Sequence, residues 1–247
     1  MLAVPHRVAV LLALVLWAPE LRCPVPDFDA AAEPLDPTEL GFPLPAFRVP
    51  LADDGCPILA VFVEQHGEAT ASLHVVTADE DHPLPLIDQL YDAERWFGLV
   101  APSRRFPFVR LAPSERPGYR RVADVETIEL RLSPDRGTKE REATDGGHPD
   151  GGRSLEAIHF PGTYSAGQSW NVLLARHHSA TIPAARFERE GGRPVLHVNT
   201  WNHLFSNEGN NPGAPHRLVT DYPVYRGTRG EVQALFDGVW TDFGLGL

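Results

Sequence analysis

Between Arg193 and Phe205 apolar and polar residues alternate with the period of a β-strand. That spacing predicts one face carrying His197, Asn199, Trp201, His203 and Phe205, and another carrying Leu196, Val198, Thr200, Asn202 and Leu204. Two continuous apolar runs, Ile58–Glu64 and Ser72–Thr77, flank the polar Gln65-His66-Gly67-Glu68 and predict a central hairpin. Ile128, Leu130 and Leu132 set against Thr127, Glu129 and Arg131 predict a half-buried strand. Further strands are expected at Phe108–Leu111, Leu155–Phe160, Trp170–Ala175, Ala180–Arg186 and Val219–Tyr225.

Two stretches switch to helical spacing. Leu86, Ile87, Leu90, Tyr91, Glu94 and Phe97 form a stripe along Pro83–Gly98, with Gly98 at the capping position. Near the C-terminus Thr228 and Glu231 make a capping box ahead of Val232, Leu235, Phe236 and Val239. The fold class that follows is α+β: a mainly antiparallel β-sheet domain with two covering helices, after an N-terminal signal-like segment.

That segment consists of a positive end, Met1–Arg7, and an apolar run, Val8–Ala18. The run is about half of the roughly 20 residues a bilayer span needs, so it reads as an export signal, and no later segment is long and apolar enough to span. The expected location is therefore secreted or otherwise extracytoplasmic. Cleavage before Cys23 would leave Cys23 and Cys56 able to form a disulfide, whereas cleavage after Ala32 would leave Cys56 alone. Residues 1–32 are read as export signal and extended leader, 33–133 and 155–247 as the two halves of the β-rich domain. Residues 134–154, nearly devoid of apolar side chains, read as a mobile loop or linker.

Composition narrows the partners. A net charge of -11, from 33 acidic and 22 basic residues, supplies no cationic footprint for phosphate backbones, so no nucleic acid is expected. No phosphate-binding loop, His-Glu-x-x-His helix or dinucleotide fingerprint is present, and Ser165 sits one place late for a nucleophile elbow.

Candidate chemistry comes from the hairpin implied by Gly191-Gly192. A two-residue turn there pairs Glu190 with Arg193, and extending that register sets Ala180 opposite His203, His178 opposite Phe205 and Arg186 opposite His197. His178 and His203 would then be same-face diagonal neighbours, Cα atoms roughly 7 to 8 Å apart, able to share a divalent metal ion. His197 and His203 cannot share one along a straight strand, because six extended residues span about 20 Å; only a sharp bend at Trp201-Asn202 would bring them together.

Two functions and one bland role are expected. The first is an extracytoplasmic module that binds a small polar or carbohydrate-like ligand, or a protein partner, through Asn199, Trp201, His203 and His178. The second is a metal-assisted hydrolase or oxygenase centred on His178 and His203. The bland role is a hydrogen-bonded polar cluster beneath a loop, in which the histidines and asparagines satisfy backbone groups and Trp201 supplies apolar area.

Overall fold

The structure, a computed structural model, describes residues 25–51, 58–78, 123–133 and 153–240. Residues 1–24 of the leader, with Cys23, and Cys56, the helix expected at Pro83–Gly98, the strand expected at Phe108–Leu111 and most of the 134–154 segment lie outside these residues. One compact unit, Asp27–Glu80 with Ala123–Ala234, contains the sheet; a second comprises Met1–Pro26, Asp81–Val122 and Leu235–Leu247.

The first unit is mostly β-sheet. Its strands are β1 (Glu33–Pro34), β2 (Ala46–Pro50), β3 (Ile58–Gln65), β4 (Thr70–Ala78), β5 (Ala123–Leu132), β6 (Leu155–Tyr164), β7 (His178–Pro183), β8 (Arg189–Glu190), β9 (Arg193–Val198), β10 (Phe205–Ser206), β11 (His216–Val219) and β12 (Val224–Arg226). Spatially they run β1-β12-β3-β4-β5-β6-β10-β9-β2-β11, with β7 on the other edge of β6 and β8 paired to β9. Most pairs are antiparallel; β2 with β9, β3 with β12 and β6 with β10 are parallel. A short helix, α1 (Phe28–Ala31), precedes the sheet, and α2 (Arg229–Trp240) follows it.

The β3–β4 hairpin is central as its composition implies. Ala60, Val61, Phe62, Ala71, Leu73, Val75 and Val76 are buried, so these strands need apolar residues on both faces. In β5 the alternation holds: Ile128, Leu130 and Leu132 are buried, whereas Arg131 is exposed. β5 pairs directly with β6, and Ser133 N donates to Ser154 O at 2.8 Å, so the ends of the intervening segment meet. Aromatic clusters fill the core: Phe62 lies 5.5 Å from Phe28 and 5.1 Å from Tyr225, and Phe47 5.4 Å from Tyr222, in geometries favoured by ring quadrupoles. At α2 the capping box forms, with Thr228 N donating to Glu231 Oε2 at 2.7 Å and Glu231 N to Thr228 Oγ1 at 3.2 Å.

Four expected elements differ. The anchor strand stops at Val198, because Thr200–His203 forms a turn that folds β10 back onto β9, pairing Phe205 with Val198. Trp170–Ala175 is a loop and not a strand. Ala180–Arg186 is shortened at Pro183, where a 3-10 turn over Ala184–Arg186 begins; proline removes a ladder donor there. The final strand splits into β11 and β12 around Thr220–Pro223, and the pieces pair with β2 and β3.

Candidate functional site

The Gly191-Gly192 turn does pair Glu190 with Arg193, and both glycines have positive φ, 55° and 81°. The register does not extend past β8. Ala180 pairs with Phe160 instead of His203, and His178 pairs with Tyr164 instead of Phe205. Tyr164 is also the register partner of Phe205, so β6 stands between β7 and β10. The geometry that was to join His178 and His203 is therefore not formed. Arg186 lies in the 3-10 turn, and His197 is instead flanked by Arg48 of β2 and Ser206 of β10.

Each residue expected at the site has a definite place. His178 is exposed on β7. His203 is fully buried, in a left-handed conformation (φ 58°), with Nδ1 2.8 Å from Thr77 Oγ1. Trp201 is buried and donates from Nε1 to Val172 O at 2.9 Å. Asn199, also buried, donates from Nδ2 to Ser206 Oγ (2.8 Å) and Glu208 O (2.9 Å), and accepts from Asn210 N at 2.9 Å. Asn211 Nδ2 donates to Asn199 O at 3.0 Å. Asn199 thus ties the 206–211 loop down across its face of the sheet, and Asn199 and Trp201 spend their polar atoms on backbone and hydroxyl groups of the fold.

His197 lies beneath that loop. A Cβ on Gly209 would meet its Nδ1 at 2.9 Å, so glycine is what lets the backbone pass. Its Nε2 is 3.9 Å from Glu188 Oε2, and Glu188 is held by Arg48 through two bonds of 2.6 and 2.7 Å. Those bonds keep the Glu188 carboxyl below its ordinary range. The sharp bend that could unite His197 with His203 exists, at Thr200–His203, yet one ring faces Gly209 and Glu188 and the other Thr77.

A second group of polar side chains sits on the β3–β4–β5 face, where sequence reading placed only a hairpin. Register sets Glu64 opposite Ser72, and His74 opposite both Phe62 and Thr127. Glu64 Oε2 is 3.2 Å from His74 Nε2, and His74 Nδ1 is 3.0 Å from Thr127 Oγ1, which accepts from Arg229 Nη1 at 3.1 Å. These contacts are all satisfied by a neutral His74 that carries its proton on Nε2 and accepts from the threonine hydroxyl. His66 Nε2 is 2.8 Å from Ser72 Oγ, whereas its Nδ1 is 3.8 Å from Glu64 Oε1, too far for a direct hydrogen bond. The His66 and Glu64 side chains are 45% and 28% exposed, against 3% for His74. The signal was available: a hairpin turning at Gly67 with Gln65 opposite Ala71 makes these residues neighbours.

Burial pushes the pKa of both His74 and His197 down; nearby cations, Arg229 and Arg48 respectively, add to that, while Glu64 and Glu188 oppose it. The sign for stability follows. An unfolded histidine titrates near 6.5, above its folded value, so the unfolded chain takes up protons first as pH falls. Stability conferred by the two neutral histidines is complete above that pH, declines as pH drops through 6.5, and stops declining below the depressed folded values. Melting curves between pH 7.5 and 5.5 should show Tm falling with acidification, and the His74→Gln, His197→Gln double variant should show a flatter profile. An equal slope in the variant would sink this assignment.

Among the described residues no three His, Cys, Asp or Glu side chains are grouped so as to hold a metal ion. Compared with known proteins, the chain matches no family model, no curated protein and no solved structure.

Proposed function

We propose that this chain is an exported, non-catalytic module that binds a small hydroxyl-bearing ligand of carbohydrate-like chemistry at the Glu64–His66–Ser72 edge of the β3–β4 hairpin. The carrying observation is the 3.8 Å gap between His66 Nδ1 and Glu64 Oε1. An oxygen about 2.8 Å from each atom would bridge it. With Ser72 donating to His66 Nε2, Nδ1 bears the proton and donates to that oxygen, while the Glu64 carboxylate accepts its hydrogen. A hydroxyl is both acceptor and donor, which is what this pair demands. This site replaces the Trp201 face as the binding surface, because Asn199, Trp201 and His203 are buried. The metal-assisted reading on His178 and His203 goes no further, since the hairpin register it required is replaced by β6–β7 pairing.

One preparation tests both parts. The chain is expressed with its leader, recovered from the extracytoplasmic fraction, sequenced at its N-terminus and titrated by NMR with simple hexoses and polyols. The expected result is a new N-terminus beyond Ala18 and saturable shifts centred on His66, weakened about tenfold or more by His66→Ala or Glu64→Ala, as for a hydrogen-bonding pair lost from a site. A retained Met1 overturns export; absence of shifts, or shifts indifferent to both substitutions, overturns the site.

A further inference from the structure

The segment between β6 and β7 puts two large apolar side chains into solvent. Leu173 is 51% and Leu174 65% exposed, the highest exposures among the large apolar residues described. They are not exposed because their loop is loose. Gln168 spans its base, donating from Nε2 to Ser165 O and Arg176 O and accepting at Oε1 from Arg176 N, each at 2.7 Å. Asn211 Oδ1 accepts from Trp170 N at 2.7 Å, and Trp201 donates to Val172 O at 2.9 Å. His177 Nδ1 donates to Gly162 O at 3.0 Å, which leaves Nε2 to accept from Asn202 Nδ2 at 3.4 Å. Trp201, Asn202 and Asn211 are thus the platform beneath the loop.

Charge identifies what the leucines meet. In a chain of net charge -11, residues 157–187 contain no aspartate or glutamate, yet they include Arg176, Arg186, His159, His177 and His178. Arg176, His177 and His178 follow the leucines after Ala175 and are exposed. Adjacent apolar side chains held at a fixed loop, followed by the cationic Arg176 in a stretch, 157–187, that contains no carboxylate, match an interface with hydrocarbon below and anionic headgroups above. We infer that the Trp170–His178 loop is a membrane-docking element, with Leu173 and Leu174 entering the acyl boundary of an anionic phospholipid bilayer and Arg176 pairing with headgroup phosphates. The attachment is peripheral, and among the described residues no helix is long and apolar enough to cross a membrane.

The test is co-sedimentation of the full chain with vesicles of phosphatidylcholine alone and of phosphatidylcholine containing one quarter phosphatidylglycerol. Binding to the anionic vesicles is expected, weakened by salt, and reduced roughly tenfold or more in the Leu173→Ser, Leu174→Ser double variant. Arg176→Glu should also weaken it. Leu51→Ser, at an exposed leucine elsewhere (46%), should leave it unchanged, and the Val8–Ala18 run is common to all these proteins and cancels. Because the substituted leucines are exposed, Tm should be retained, which separates lost docking from lost fold. Absence of binding, equal binding to both vesicle types, or a double variant that binds like the parent overturns the inference. Self-association of the parent that the double variant abolishes, with vesicle binding unaffected, also overturns it and makes the loop a contact with a second copy.

Discussion

Replacing Asn199 with Ala should be among the most damaging single changes in this protein, lowering stability by about 3 kcal/mol. The buried amide contacts Ser206 Oγ, Ser165 Oγ, Glu208 O and Asn210 N, and alanine strands Asn210 N and unpins the loop that covers His197. At 2–4 °C per kcal/mol for a domain of this size, Tm should fall by roughly 6 to 12 °C. Aspartate is not a rescue: it could still accept from Asn210 N, but it has no hydrogen to give Glu208 O and would set a negative charge against that carbonyl. The measurement separates two views of the residue. A ligand contact would lose binding with Tm intact, whereas a structural tie loses Tm, and an unchanged melting curve for Asn199→Ala would refute the tie.

What could be read from the chain was whatever a short stretch decides by itself. The unbroken apolar runs of β3 and β4 declare a two-sided buried hairpin, and the capping box at Thr228 and Glu231 declares the start of α2. Gly191-Gly192 fixes its own turn because both positions take positive φ, yet a turn dictates only the pairs beside it. Whether β7 then follows β9 or β6 depends on contacts far along the chain, and Pro183 with the 3-10 turn after it releases β7 to pair with β6. Trp170–Ala175 has the composition of a strand but is held as a loop by Gln168 and by Asn211, 41 residues downstream of Trp170. His203 broke the expected alternation by adopting a left-handed backbone, which histidine tolerates better than a β-branched residue. The polar cluster role expected of the Trp201 face describes Asn199 well, while the candidate ligand groups, Glu64 and His66, become neighbours of Ser72 and His74 only through the register of the β3–β4 hairpin.

Arg193 is a second residue whose weight sequence could not reveal, because most of its acceptors are backbone carbonyls, which no side-chain pattern marks. Its Nε donates to Leu44 O at 2.9 Å, Nη1 to Thr220 O at 2.5 Å, and Nη2 to Pro45 O and Tyr222 OH, both at 2.9 Å. The guanidinium carbon also lies 5.4 Å from the centre of the Tyr222 ring, within cation–π range. Tyr222 donates its own hydroxyl hydrogen to Pro45 O at 2.5 Å, and burial pushes its pKa up to about 12, so it stays a neutral donor. One side chain at the start of β9 therefore fastens the approach to β2 and the break between β11 and β12. Arg193→Ala removes four hydrogen bonds and the ring contact; discounted for partial solvent access, the expected loss is about 3 kcal/mol, or roughly 6 to 12 °C in Tm. Lysine should recover less than half of that, because a single ammonium cannot reproduce the planar fork that reaches acceptors on both sides. Thermal denaturation of the two variants with Tyr222→Phe alongside measures the parts: if lysine restores the parental Tm, charge alone sustains the junction and the fork geometry is irrelevant.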